Sequence, residues 1–286
     1  MKKTLTLVLL AAAAVFILLN SCKKEEKETV KAAVVPDKLV IYAYDSFASE
    51  WGPAGTVIPP FEEKYGIKVD LRSAGDSGQV LSRVILEKDD PQADIIIGID
   101  NNMLAKALAE NVLSAYKPEN ADLIPDHLLF DKSFHAVPFD YGYFAINYDS
   151  GALDNPPLSL EDLTKAEDKD SIILMDPRTS SPGLGFLLWT ISIYGDSFAD
   201  YWKRLMPSVL TITDGWDSGY GLYTAGEAPM VLSYTTSPPY HVEYEGTDRY
   251  KALLFEKGNY MQIEAMAILK DAPNREAAEL FIEYML

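Results

Sequence analysis

Alternation of strand-like and helical segments is the feature that most narrows the folds open to this chain. From Lys38 onward, short β-type runs give way repeatedly to stretches of helical periodicity, which predicts an α/β architecture with largely parallel strands. Strands are expected over residues 38–44, 67–73, 93–98, 172–175, 210–213 and 230–233, with a return strand over 260–269. Residues 93–98 (ADIIIG) form the continuous apolar run of a strand buried on both faces. Helices are expected over residues 56–65, ended by Gly66, then over 80–87, after Asn101-Asn102, and over 183–194, 216–225 and 274–286. Residues 136–148 read as extended and aromatic, where the chain crosses to a second lobe.

The N-terminus obeys a different logic. Met1-Lys2-Lys3 is a short basic opening, and residues 4–19 are apolar but too short and Ala-rich for a comfortable membrane span. Leu19-Asn20-Ser21-Cys22 then resembles a bacterial lipobox, so residues 1–22 read as a lipoprotein signal peptide with Cys22 the lipidated mature N-terminus. A plain signal peptide with an incidental cysteine and an uncleaved anchor are the alternatives. Residues 23–37 mix Lys, Glu, Ala and Val without periodicity and are expected to form a flexible tether. The expected location is exported, periplasmic or at the cell surface, anchored to a bacterial membrane by lipid.

Cys22 is the chain's one cysteine, which excludes a disulfide, a Cys-based metal site and a Cys nucleophile from the folded body. A net charge of −18 argues against nucleic acid as a partner. The acidity serves solubility, and it is also compatible with a cationic ligand. No G-x-S-x-G elbow occurs, and His127, His135 and His241 are scattered without a paired pattern, so a serine hydrolase finds no support. No cofactor and no metal are expected.

Five segments share one character: a strand end or turn presenting aromatic, carboxylate and hydroxyl groups together, where open α/β sheets bind ligands. They centre on Tyr42–Asp45 with Trp51, Gly98–Asn102, Pro138–Tyr143, Asp176–Gly183 and Ser233–Tyr240, with Gly215-Trp216 between the last two. For any single tyrosine among them packing is the favoured explanation, and the clustering of all five segments at strand ends weakens it. Together they suit a flat heteroaromatic cation, since its rings stack on Tyr and Trp faces and its charge gains about 0.5 to 2 kcal/mol from the π clouds. The Thr179–Gly183 stretch opens a helix, so its free N–H groups serve either as an ordinary cap or as a cradle for a phosphate or hydroxyl tail.

The segments YAYDSFASEWGP, GIDNN, VPFDYGYFAINYD, DPRTSSPGLGFLLW and VLSYTTSPPYH resemble, in order and spacing, those of the periplasmic thiamine-binding proteins of bacterial ABC importers. The likeness runs from about residue 40 to residue 286. It implies a two-lobed type II periplasmic-binding α/β fold with mixed, mainly parallel sheets and a ligand cleft between lobes. Lobe 1 is expected over residues 38–143 and 258–286, and lobe 2 over 144–257. The implied ligand is thiamine or its mono- or diphosphate, and the implied partners are a permease and an ATPase. By the same resemblance Tyr44, Trp51, Tyr141, Trp216, Tyr234 and Tyr240 line aromatic walls, and Ser180 with Ser181 faces the phosphate or hydroxyethyl end. Asp45, Asp100 and Asp140 are candidates for the cation and aminopyrimidine, with Asn101 and Thr235 completing the set. Against that family the chain stops early, so lobe 1 is expected to be truncated at its C-terminal part and to lack one further site tryptophan.

Rival readings remain at this level. Thiaminase I shares a related fold but needs a cysteine nucleophile, which the folded body does not have. A ferric-ion receptor of the same fold typically presents two consecutive tyrosines, and no Tyr-Tyr pair occurs. A polyamine receptor uses Asp, Glu, Tyr and Trp as this chain does.

Overall fold

The computed structural model describes residues 38–165 and 169–286. Cys22, the expected signal peptide and the expected tether lie outside them. No helix among the described residues is long and apolar enough to cross a membrane.

Strand β1 (Lys38–Ala43) and strand β3 (Ile95–Asp100) are buried almost end to end, as their continuous apolar runs predict. They pair in parallel, and β2 (Lys68–Ser73) pairs in parallel with β1 on the other side, in register from Lys38 opposite Lys68 to Ala43 opposite Ser73. As an edge strand β2 is only half-buried. Helix α1 (Asp45–Ala48) is a single turn, followed by α2 (Ala54–Tyr65), which stops at Gly66. Gly66 has φ 69° and donates its N–H to the Glu62 carbonyl, a left-handed cap that a side chain disfavours. Helix α3 (Ser77–Leu86) starts earlier than the apolar periodicity suggests, because Asp76 and Gln79 form a capping box. Helix α4 (Leu104–Ala109) leads into β4 (Leu113–Ser114).

The two long strands organise the rest. Strand β5 (Val137–Asp149) pairs antiparallel with β10 (Met261–Leu269) through residues 137–143. From Phe144 onward it pairs antiparallel with β8 (Met230–Tyr234) and β9 (Tyr250–Ala252). The chain therefore passes from one half of the sheet to the other within a single strand, at the extended aromatic segment singled out above. On the far side β6 (Ile172–Met175) runs parallel to β8 and to β7 (Val209–Thr213). Strand order is β2-β1-β3-β10-β5-β8-β6-β7, with β4 on β10 and β9 on β5. The sheet is mixed: among the described residues four pairings are parallel and five antiparallel. Parallel pairing is thus confined to the flanks rather than prevailing, since β5 and β10 run against every strand they touch.

Helix α5 (Ser181–Tyr194) is apolar almost all round and buries Phe186 and Trp189. Helix α6 (Phe198–Leu205) lies in a stretch where the sequence gives no clear element; its eight residues bury only Tyr201 and Leu205. Helix α7 (Trp216–Thr224), the one-turn α8 (Ser237–Tyr240) and α9 (Arg275–Met285) complete the fold. Buried apolar residues separate into clusters. One is drawn from residues 144–255, and two others from residues 39–137 together with 263–282. In the second group Phe281 of α9 meets Phe61 of α2 edge-on at 5.1 Å, fixing the last helix against the first long one.

Candidate functional site

Strand ends and the turns after them converge on a cleft of about 1150 Å³. The end of β1, the β2–α3 turn, the middle of β5, the start of α5, the β7–α7 turn, the end of β8 and the first half of β10 all contribute. This is where an open α/β sheet leaves polar groups unspent, because its crossover helices begin there. Seven carboxyl side chains line the cleft and no Lys or Arg does. An uncompensated acidic cavity favours a cation and repels an anion.

Aromatic rings form the walls. Trp216 opens α7 and stacks on Tyr220 at 4.6 Å and 19°, and its indole Nε1 donates to Ser233 Oγ at 2.9 Å. Trp51, half exposed at the mouth, sits 6.0 Å from Trp216 and 6.2 Å from Tyr240. Tyr220 in turn bonds His241 Nε2 at 2.8 Å, and His241 Nδ1 meets Glu245 at 2.7 Å, so a chain of hydrogen bonds braces the wall. Tyr44 reaches the cleft because Gly98, at φ +106°, leaves room for its ring. A Cβ there would stand 2.5 Å from Tyr44 Cδ1.

Asp76 ties opposite sides of the cleft together. Its Oδ1 accepts from Ser77 N at 2.6 Å and Ser181 N at 3.3 Å, and Oδ2 accepts from Trp216 N at 2.9 Å. The last two donors are first residues of α5 and α7, helix N-termini that attract negative charge. Burial raises its pKa, while these N–H groups and the Ser180 hydroxyl pull it back. Nearby, Gly78 packs on the Thr179 carbonyl so closely that a Cβ would lie 2.5 Å from it. Ser46 Oγ donates to Asp217 Oδ1 at 2.6 Å, a second link across the opening.

At the floor, Asp140 of β5 and Glu264 of β10 stand opposite each other. Asp140 opens onto cleft water, yet enclosure by the walls raises its carboxyl to about 6. Burial raises Glu264 well above the usual carboxylate range, and Asp140 beside it adds to the shift. The Tyr44 hydroxyl donates to Glu264.

The bacterial extracellular solute-binding protein family matches residues 41–286, the stretch that builds this sheet and cleft. The chain belongs to it. A solute-binding protein of Brucella abortus named thiamine-binding periplasmic protein is 45% identical over 254 residues, covering 89% of this chain and 75% of that one. Its Escherichia coli namesake is 40% identical over 248 residues, covering 87% and 75%. A solved periplasmic thiamin binding protein superposes with a TM-score of 0.82 at 39% identity, covering 87% of this chain and 77% of that one. The fold of this solute-binding protein is the two-lobed type II periplasmic-binding α/β fold.

Tyr44, Asp45, Trp51, Asp140, Tyr141, Ser181, Trp216, Tyr234 and Tyr240 all line the receptor's cleft. Asp45 spends one oxygen on Ser73 Oγ and on Gly75 N at 3.1 Å, holding the β2–α3 turn. Four other sequence candidates do not line it. Asp100 is fully buried behind the wall and accepts from Asn102 N at 2.8 Å, Met103 N at 2.9 Å and Gln262 Nε2 at 3.0 Å; burial raises it to about 6. Asn101 Oδ1 accepts from Ile263 N at 2.8 Å, closing the gap between β3 and β10. Ser180 is buried and caps α5 through its Oγ, which accepts from Gly183 N. Thr235 continues the β8 edge, donating its N–H to Tyr143 O at 2.9 Å.

Several cleft residues escape sequence reasoning, chiefly Asp76, Tyr220, Gln262 and Glu264. Asp76 carries a usable signal, since Asp76-Ser-Gly-Gln79 is a capping pattern. So does Glu264: with Gln262 it shares one face of the otherwise apolar strand MQIEAMAIL, and an isolated acid there is an anomaly.

Proposed function

We propose that this solute-binding protein captures thiamine, or its mono- or diphosphate, and delivers it to a membrane permease driven by an ATPase. One observation carries the reading: the cleft combines stacked Trp216 and Tyr220, Trp51 and Tyr240 at the mouth, seven carboxyls and no Lys or Arg. A thiazolium ring is flat, aromatic and permanently cationic, so it gains from both the rings and the carboxylates. The relatives' names point the same way.

Lobe 1 spans residues 38–143 and 258–286 and lobe 2 spans 144–257 in this reading, supported by the separate hydrophobic clusters and by the change of partners along β5 at Phe144. Anchoring through a lipid on Cys22 belongs to the same proposal. Palmitate labelling that disappears in Cys22→Ser supports it, and labelling that persists removes it.

Thiamine is expected to quench tryptophan fluorescence of the protein lacking residues 1–22, because Trp51 and Trp216 line the cleft while Trp189 is buried away from it. Calorimetry with heat from spermidine or ferric citrate but none from thiamine or its phosphates overturns the reading.

A further inference from the structure

Asp140 and Glu264 are directly opposed on adjacent antiparallel strands, so their side chains leave the same face, and both line the cleft. Oε1 of Glu264 is sealed from solvent and has no hydrogen-bond partner among the described residues. No Lys or Arg reaches the cleft to balance the pair. The ionisable groups acting on Glu264 and its surroundings come from every neighbouring element: Tyr44 at the end of β1, Asp76 from the β2–α3 turn, Asp100 from β3, Asp140 from β5 and Tyr234 from β8. All are acidic or phenolic; the Tyr44 hydroxyl donates to Glu264, but no cation among these groups offsets two negative charges side by side.

We propose that Asp140 and Glu264 act as one carboxyl pair that holds a proton when the cleft is free and gives it up to solvent when a cationic ring docks. The inference rests on the thiamine reading. The bookkeeping is simple: the carboxyl O–H bond breaks, the proton passes to buffer, and the ligand's fixed positive charge takes its place, leaving the floor's net charge unchanged. The unpartnered Oε1 then gains the counter-charge it lacks. A neutral ring of the same shape leaves the proton where it is. Selectivity for the cation therefore comes from the floor in addition to the cation–π gain at the walls, while ring stacking itself serves both ligands alike.

The sign of the pH effect follows. Releasing a proton on binding makes affinity rise with pH, by up to about tenfold per unit for one proton. Affinity falls as pH drops through about 6, where Asp140 also takes up a proton.

Calorimetry at about pH 6.5 in buffers of different ionisation enthalpy counts the protons released. With thiamine the receptor is expected to release about one proton per ligand, and E264Q far less, with weaker binding. The thiophene isostere of thiamine keeps the aminopyrimidine but carries no ring charge. On the unaltered receptor it is expected to release almost none and to bind at least about tenfold more weakly. Because that arm uses no variant, misfolding of E264Q does not blunt the test. Thiamine binding without proton release, release undiminished in E264Q, or equal affinity for the isostere each overturns the pair. Absence of any thiamine binding instead overturns the parent reading, a distinguishable result.

Discussion

Replacing Trp216 by Ala is expected to weaken thiamine binding by about 30- to 1000-fold, or about 2 to 4 kcal/mol. The indole is held rigidly, stacked on Tyr220 and tethered by its N–H to Ser233, so it offers a ligand a flat face already ordered. Truncation removes that face and loses the tilted contact with Trp51 across the mouth. Tyr220 is left with one side unsupported. Trp216→Phe keeps a ring without the hydrogen bond and is expected to lose far less. Calorimetry is the appropriate measurement, because the variant also lacks a fluorophore. An affinity within about threefold of the unaltered protein would show that Trp216 only packs.

The second large effect concerns folding. Asp76→Ala is expected to lower the unfolding free energy by about 2 to 4 kcal/mol, read from denaturant midpoints with and without thiamine. Ser181 N and Trp216 N, at the starts of α5 and α7, and Ser77 N, at the start of α3, all lose their acceptor at once. Each loss resembles removal of an N-cap, and two of the three donors belong to helices remote from Asp76 in sequence. Asp76→Asn keeps one acceptor oxygen and is expected to fall between. A loss below about 0.5 kcal/mol in the Ala variant would mean that water replaces the carboxylate without cost.

Much of the architecture could be read from the chain because its causes are local. The apolar run at residues 93–98, the glycine stop at Gly66 and the extended aromatic stretch before Phe144 depend on periodicity and backbone freedom within a few residues. Helix α6 shows the limit. With only two buried side chains in eight residues, its pattern is too short to stand out, and Tyr201 finds its partner at the distant Leu160 carbonyl, 2.9 Å away.

The aromatic part of the cleft was legible for a related reason. Rings such as Trp51, Trp216 and Tyr240 follow strand ends, and strand ends in such a sheet share one edge. The acidic part was not. Asp100, at the end of β3, looks in sequence as available as Asp140, yet it is spent on the turn N–H groups of Asn102 and Met103.

By itself the sequence determined the class of the fold, the order of its elements and the aromatic, acidic character of the ligand site, since these follow from local pattern and residue chemistry. Only the tertiary structure decided which carboxylates face the ligand. That choice depends on partners 105 and 140 positions from Asp76, and on the register that sets Glu264 opposite Asp140. Asp100 is taken up by the N–H groups that follow it while Asp140 opposes Glu264 across the strands and serves the cleft, and no local pattern reveals that difference.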